Sequence, residues 1–147
     1  KGEETYKRAG SRVQDWQKQL NNAEAQTIRA TKALNENDVY LNVAGGIRLD
    51  EPSADLSIAM ALISGITDKV IPDDLIAFGE IGLSGEVRAV SHIDYRVREA
   101  VRLGFTKIIL PKKNLSKSIK APVGVELCGV SNIYQVLIHM KPKDAVE

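Results

Sequence analysis

Ser53 is the residue whose type and setting most favour covalent chemistry. It stands in Pro52-Ser53-Ala54, at the start of an apolar helix predicted over residues 52–64. A serine hydroxyl becomes a nucleophile only beside a general base, such as a lysine whose pKa burial has lowered. Lys69 is predicted to lie in a loop, and Arg96 keeps its proton near neutral pH. The residues therefore favour a serine that caps or opens the helix over a catalytic one.

A set of arginines forms the second candidate site: Arg48, Arg88, Arg96, Arg98 and Arg102. Arg98 and Arg102 lie one turn apart on one predicted helix, whereas Arg96 is rotated about 160° from Arg98. Guanidinium groups bind phosphate oxygens in pairs and without regard to base sequence. The set therefore predicts contacts with a DNA backbone. The alternative is ion pairing between subunits, and the two interpretations are compatible.

The remaining chemistry-bearing residues do not predict a site. His92 and His139 are far apart and lack carboxylate or cysteine neighbours at metal-ligand spacing, so no metal is expected. Cys128 lies in an apolar strand and is predicted to be a small core residue. A single cysteine excludes an internal disulfide framework and fits a reducing cytosol. No apolar run approaches the roughly 20 residues that span a bilayer, so a cytoplasmic protein without membrane contact is expected.

From Asn37 onward, the elements that position these residues alternate between strands and helices. Strands are predicted over residues 39–44, 75–81, 87–90, 107–110 and 125–130, and helices over 52–64, from a Ser91 cap to Gly104, and over 132–140. This alternation predicts an α/β (α+β) fold with a single sheet and packed helices. Residues 1–36 carry a capping box and a thin heptad stripe, which predict an N-terminal helical segment. The predicted organisation is therefore this segment at 1–36, one domain at 37–140 and a C-terminal tail at 141–147.

Charge is unevenly distributed along a chain whose net charge is only +1. Residues 37–86 contain two basic and nine acidic side chains, whereas residues 87–147 contain eleven basic and five acidic ones. A basic half is what a polyanion-binding face requires, although an ordinary solvated surface has the same composition.

Several segments together resemble a known family. They are Asn42–Pro52, Gly79–Arg88 and Arg96–Ala100, in this order and spacing. They resemble the proteolytic domain of Lon-type proteases, and most closely the C-terminal Lon-like domain of the RadA (Sms) family of bacterial DNA-repair proteins. The resemblance implies a Lon-like fold (ribosomal protein S5 domain 2-like). In active members the serine of Pro-Ser-Ala is the nucleophile and a lysine is its base.

The same alignment implies that the catalytic dyad is degenerate. It places Asp94 where the lysine should be, and the RadA family usually has alanine at the position of Ser53. An ionised carboxylate cannot supply the low-pKa amine that the serine requires. No catalytic residue is therefore expected, and Ser53 and Asp94 mark the degenerate positions.

The resemblance also implies a function. RadA-type proteins are hexameric DNA-dependent ATPases of recombination, with a zinc finger and a RecA-like motor ahead of this domain. This chain contains no Cys-x-x-Cys pair and no G-x-x-x-x-G-K-[ST] loop, so no cofactor is expected in it. We expect a non-proteolytic scaffold domain that forms a homo-oligomer, a hexameric ring, and contacts the DNA phosphate backbone. The alternatives are an active Lon-type Ser-Lys peptidase domain and an oligomerisation module without DNA binding.

Overall fold

The computed structural model describes residues 50–115 and 119–143. The predicted N-terminal helical segment, the strand predicted over residues 39–44 and Arg48 lie outside this part of the chain. The described helices are α1 (Asp55–Thr67) and α2 (Ile93–Arg102), with 3-10 turns at Pro52–Ala54, Lys112–Asn114 and Ile133–His139. The strands are β1 (Lys69–Val70), β2 (Leu75–Ala77), β3 (Glu80–Ile81), β4 (Val87–Arg88), β5 (Lys107–Pro111), β6 (Glu126–Val130) and β7 (Lys141–Pro142).

The central sheet is parallel and has the strand order β2-β5-β6. Its first register positions pair Leu75 with Lys107 and Lys107 with Glu126. β3 and β4 form an antiparallel hairpin, and β1 pairs with β7, so Lys141–Pro142 of the predicted tail joins a ladder. The α/β class is confirmed. Within the described ranges, however, the strands are divided among three small sheets rather than joined in one.

The two helices pack on opposite faces of the central sheet. Ile109 of β5 lies in one apolar cluster with Leu56 and Met60 of α1. Ile108 and Leu110, on either side of it in the strand, lie in a second cluster with residues of α2. Successive residues of a strand point to opposite faces, so β5 supplies both clusters. A parallel sheet covered on both sides has continuous apolar strands of this kind.

Some element ends differ from the sequence-based prediction because tertiary contacts decide them. The strand predicted over residues 75–81 breaks after Ala77. There, the Gly79 N–H donates to the Ser53 carbonyl, and the Gly79 carbonyl accepts from the Leu56 N–H. Ser91 does not cap α2; the cap position is His92, in the left-handed region at φ 55° and without a side-chain capping bond.

Two other helix ends agree more closely with the prediction from the sequence. Gly104 follows α2 at φ +94°, which only glycine adopts readily, and it ends the helix as predicted. The helix predicted to begin near Asn132 does begin there, with the Asn132 side chain accepting the Gln135 N–H at 3.1 Å. It is a 3-10 helix rather than an α-helix.

Candidate functional site

Ser53 is held by the turn that leads into α1. Its side chain is 3% exposed, and Pro52 opens the 3-10 turn, where a missing N–H costs no hydrogen bond. The Ser53 carbonyl accepts the Gly79 N–H at 2.8 Å. Ser53 is therefore fixed beside the carboxyl end of β2 by a backbone hydrogen bond.

The immediate neighbours of Ser53 are a carboxylate and a guanidinium. Glu51 Oε1 accepts the Ser53 N–H at 3.2 Å, and Glu51 Oε2 lies 3.1 Å from Arg96 Nη2. The Ser53 backbone N–H, followed by Arg96, lowers the pKa of the Glu51 carboxyl. A carboxylate with a lowered pKa is a poor base, and a guanidinium keeps its proton. Neither neighbour can activate the serine.

Arg96, not Asp94, is the α2 residue that the structure brings to Ser53. Arg96 is 23% exposed, and its Nε donates to the Ser91 carbonyl at 3.0 Å. Asp94 is exposed in the first turn of α2. Two residues of helix place their side chains about 160° apart around the axis, so Asp94 and Arg96 occupy different faces.

Lys69 cannot serve as a base for Ser53 because it lies beyond the opposite end of α1. Its Nζ donates to the Leu137 carbonyl at 3.1 Å, and burial lowers its pKa. A helix of 13 residues, such as α1, is about 20 Å long. That distance excludes a hydrogen bond between Lys69 and Ser53.

A shallow, mainly apolar groove of about 310 Å³ opens beside Ser53. One wall comes from β2 and its continuation, including Ile76 and Phe78, and the other from α2, including Tyr95 and Ala100. Glu51 and Tyr95 are the site residues that sequence analysis missed. The signal for Glu51 was an acidic residue just before a helix start, the usual place of a side chain that accepts the first helical N–H groups.

Arg88 is occupied by carboxylates of its own hairpin. Its guanidinium bonds to Glu86 at 2.7 Å and to Glu80 at 3.2 Å. The Ser84 hydroxyl, followed by Arg88, lowers the pKa of Glu86 to about 2, and Glu86 in turn raises the pKa of Arg88. An external phosphate must compete with these two carboxylates.

Arg98 and Arg102 lie on the exposed face of α2, one turn apart as predicted. Arg102 bonds to Glu99 at 2.9 Å. Within residues 50–115 and 119–143, Arg98 makes no side-chain hydrogen bond or ion pair. Among Arg88, Arg96, Arg98 and Arg102, the described members of the predicted set, Arg98 is therefore the most available to an external anion.

The histidines and the cysteine stand apart from this site. Burial, followed by Lys107, lowers the pKa of His139, which lines a polar cleft of about 460 Å³ with Lys107 and Glu126. Cys128 is buried; desolvation and then its bond to Glu126 raise its pKa to about 11. In the described ranges, no group of three or more His, Cys, Asp and Glu is placed to hold a metal ion.

No helix in the part of the chain that the structure covers is long and apolar enough to cross a bilayer. Some of the charged side chains in this part form ion pairs with one another. Several pairs join the acidic and basic halves inside one chain: Arg88 with Glu80 and Glu86, Arg96 with Glu51, and Lys143 with Asp68.

The sequence is similar to curated proteins called DNA repair protein RadA. It is 46% identical over 109 residues to that of Halalkalibacterium halodurans, covering 74% of this chain and 24% of the relative. It is 45% identical over 103 residues to that of Aquifex aeolicus, covering 69% of this chain and 22% of the relative. It is 41% identical over 102 residues to the Escherichia coli protein, covering 69% of this chain and 22% of that relative. The chain thus spans about a quarter of the length of these relatives.

Residues 13–140 match the family described as the Lon protease (S16) C-terminal proteolytic domain. The resemblance to the Lon-like domain of RadA proteins is thereby confirmed, and it extends over most of the chain. Ser53, which the resemblance predicts at the nucleophile position, adjoins a carboxylate and a guanidinium. The chain belongs to the Lon protease C-terminal domain family and is a Lon-like domain of the kind found in DNA repair proteins.

Proposed function

We propose that this chain is a non-proteolytic Lon-like scaffold domain of a RadA-type DNA repair and recombination ATPase in the cytoplasm. It contacts the DNA backbone and drives assembly of a ring. The observation that carries the proposal is the replacement of a catalytic dyad at Ser53 by the Glu51–Arg96 pair, 3.1 Å apart. Among the described residues, neither neighbour of Ser53 is suited to remove the serine proton.

Loss of peptidase activity is tested directly at Ser53. Unstructured protein substrates should survive incubation with the chain, and a fluorophosphonate probe should leave Ser53 unlabelled, because no neighbour ionises the hydroxyl. Ser53→Ala is the matched control and should behave identically. Time-dependent labelling that disappears in Ser53→Ala would favour the first alternative, an active Ser-Lys-type peptidase domain.

DNA contact is assigned to Arg48, Arg88, Arg96, Arg98 and Arg102. The structural support is strongest for Arg98, which is exposed and has no partner among the described side chains. Arg88, Arg96 and Arg102 must first release carboxylates, so among the four described arginines the loss of affinity on substitution by alanine should be largest at Arg98. Binding should ignore base sequence and have a dissociation constant of roughly 10⁻⁶–10⁻⁴ M at physiological salt.

The salt dependence of DNA affinity tests this assignment. The logarithm of affinity should fall linearly with the logarithm of salt concentration, and Arg98→Ala should reduce that slope by about one unit. Lys143→Ala is the matched control, since it removes a cation outside the assigned set that is paired with Asp68. If a folded, oligomeric sample binds no DNA at low salt, the module is an oligomerisation domain without DNA binding.

Ring assembly is proposed to join the basic and acidic halves of neighbouring subunits head to tail, giving a hexamer. Many of these charged side chains pair within the chain, so the interface between subunits must use the charged side chains that have no such partner. Exposed examples are Lys112 and Lys113 on the basic side and Asp73 on the acidic side. Exposed pairs are screened by salt, so light scattering should show a smaller species at high salt. A strict monomer at high protein concentration and low salt contradicts this part of the proposal.

A further inference from the structure

We propose that the exposed face of α2 and the groove beside it form a binding site for an unpaired nucleobase of single-stranded DNA. Tyr95 stacks on the base, Arg98 holds the neighbouring phosphate, and Arg102 stays paired with Glu99 at 2.9 Å. This inference rests on the proposed DNA contact and names the form of DNA that the site prefers.

The first support is the alignment of Tyr95 with the two arginines. Tyr95 is 60% exposed, and Arg98 and Arg102 follow it by three and seven residues in the same helix. With 3.6 residues per turn, these three side chains form one stripe along α2. The buried residues Val97 and Ala100 lie on the opposite side. An aromatic ring is therefore presented to solvent at one end of a stripe that continues with two arginines.

The second support is the groove that Tyr95 lines. Its volume of about 310 Å³ lies at the lower end of the range for small-molecule sites, which suits a single planar ring system. Ile76, Phe78 and Leu103 give it apolar walls that accept the faces of a base. Leu103 is 62% exposed, so the groove is open to a strand lying along α2.

Polar groups in the groove match the edge of a base. The Ser57 hydroxyl donates to the Ala54 carbonyl at 2.8 Å, which leaves its oxygen as an acceptor. Glu99 also lines the groove, and Arg102 balances its charge at 2.9 Å. Acceptors of this kind suit the amino groups that adenine, cytosine and guanine carry.

Single-stranded DNA is the form that fits this arrangement. In a duplex the base faces are stacked inside the helix and must be extruded before a protein can reach them. In a single strand they are accessible, and proteins bind them by combining cationic grooves with aromatic rings. The stripe on α2 and its adjoining groove contain both components.

The test compares one labelled oligonucleotide as a single strand, as a duplex and as an abasic single strand of equal length. Fluorescence anisotropy at constant salt reports binding by the chain and its variants. Tyr95→Ala should weaken single-strand binding about 5- to 150-fold, the effect typical of one lost base stack, and leave duplex binding unchanged. Tyr95→Phe should retain the affinity, because the ring remains.

Three controls separate stacking from other causes. Tyr134→Ala removes another exposed tyrosine, 37% exposed and outside α2, and should change nothing. Arg98→Ala should weaken single-strand and duplex binding alike, since both forms present phosphates. The unaltered chain should bind the abasic strand no better than Tyr95→Ala binds the normal one.

The possible failures are distinguishable. If Arg98→Ala weakens binding while Tyr95→Ala weakens no form of DNA, or all forms equally, the DNA contact stands and the base site is wrong. If the unaltered chain binds no DNA, the proposed function and this inference both fail. If Tyr95→Ala changes only the oligomeric state in light scattering, the stripe is a subunit interface and the inference is overturned.

Discussion

The tie between the Ser53 turn and the central sheet depends on the absence of a side chain at Gly79. A Cβ at this position lies 2.9 Å from Val87 Cγ1 and 3.3 Å from Leu56 Cδ2, closer than side chains normally approach. Val87 is buried and β-branched, so its methyl group cannot rotate away freely. Gly79 lies outside the left-handed region, so the effect of Gly79→Ala arises from the added methyl group.

We expect Gly79→Ala to lower the free energy of unfolding by about 1–3 kcal/mol, the usual cost of overpacking a core. Gly65→Ala, near the end of α1, is the matched control because a Cβ there meets nothing within 4 Å. It should raise stability by about 0.5–1 kcal/mol, since alanine favours a helix more than glycine does.

Urea unfolding of both variants against the unaltered chain measures the two effects. The two changes in stability should have opposite signs. The urea concentration at the midpoint should be lower for Gly79→Ala and higher for Gly65→Ala, whereas the dependence of the unfolding free energy on urea concentration should not change. In thermal unfolding, each kcal/mol of unfolding free energy corresponds to a shift of roughly 2–4 °C in the melting temperature for a chain of this size. The reasoning is refuted if the two variants shift stability in the same direction.

Two further predictions concern ionisable groups. Glu86 has a pKa of about 2 against the usual 4.5, so its stabilising contribution is complete above about pH 4.5 and disappears as the pH falls towards 2. Glu86→Gln should therefore flatten the acid side of a stability–pH curve measured by urea unfolding; an unchanged curve contradicts the Ser84–Glu86–Arg88 arrangement. Because the pKa of Cys128 is raised to about 11, its thiol should react slowly with iodoacetamide at neutral pH and quickly in denaturant. Equal rates in both conditions would show that this residue is not buried as described.

Local patterns were sufficient to predict most of the fold. The apolar spacing in α1 and α2, the continuous apolar strand β5 and the position of Gly104 predicted elements that the structure contains. The break after β2 was not predictable, because it depends on hydrogen bonds between Gly79 and the turn before α1. Such bonds join segments that are distant in sequence, and no local propensity encodes them.

The candidate site was predicted less completely for the same reason. The sequence identified Ser53 and the arginines by residue type, but their ionic partners depend on tertiary structure. Glu51 reaches Arg96 only because the start of α1 lies against α2. Arg88 was predicted as a phosphate ligand, and its hairpin instead surrounds it with Glu80 and Glu86. Tyr95 was missed because an exposed tyrosine on a helix has no special sequence signal.

The pairing of β1 with β7 has a consequence for how the chain is made. Lys69 bonds to the Leu137 carbonyl across 68 positions, and Lys69–Val70 pairs with Lys141–Pro142. On a ribosome, α1 and β1 emerge long before these partners are synthesised. Closing a loop of this length carries an entropic cost, which the contacts formed with the completed ladder must offset. Lys141 and Pro142 therefore complete the end of the domain that lies opposite Ser53, and until they are synthesised β1 has an unpaired edge.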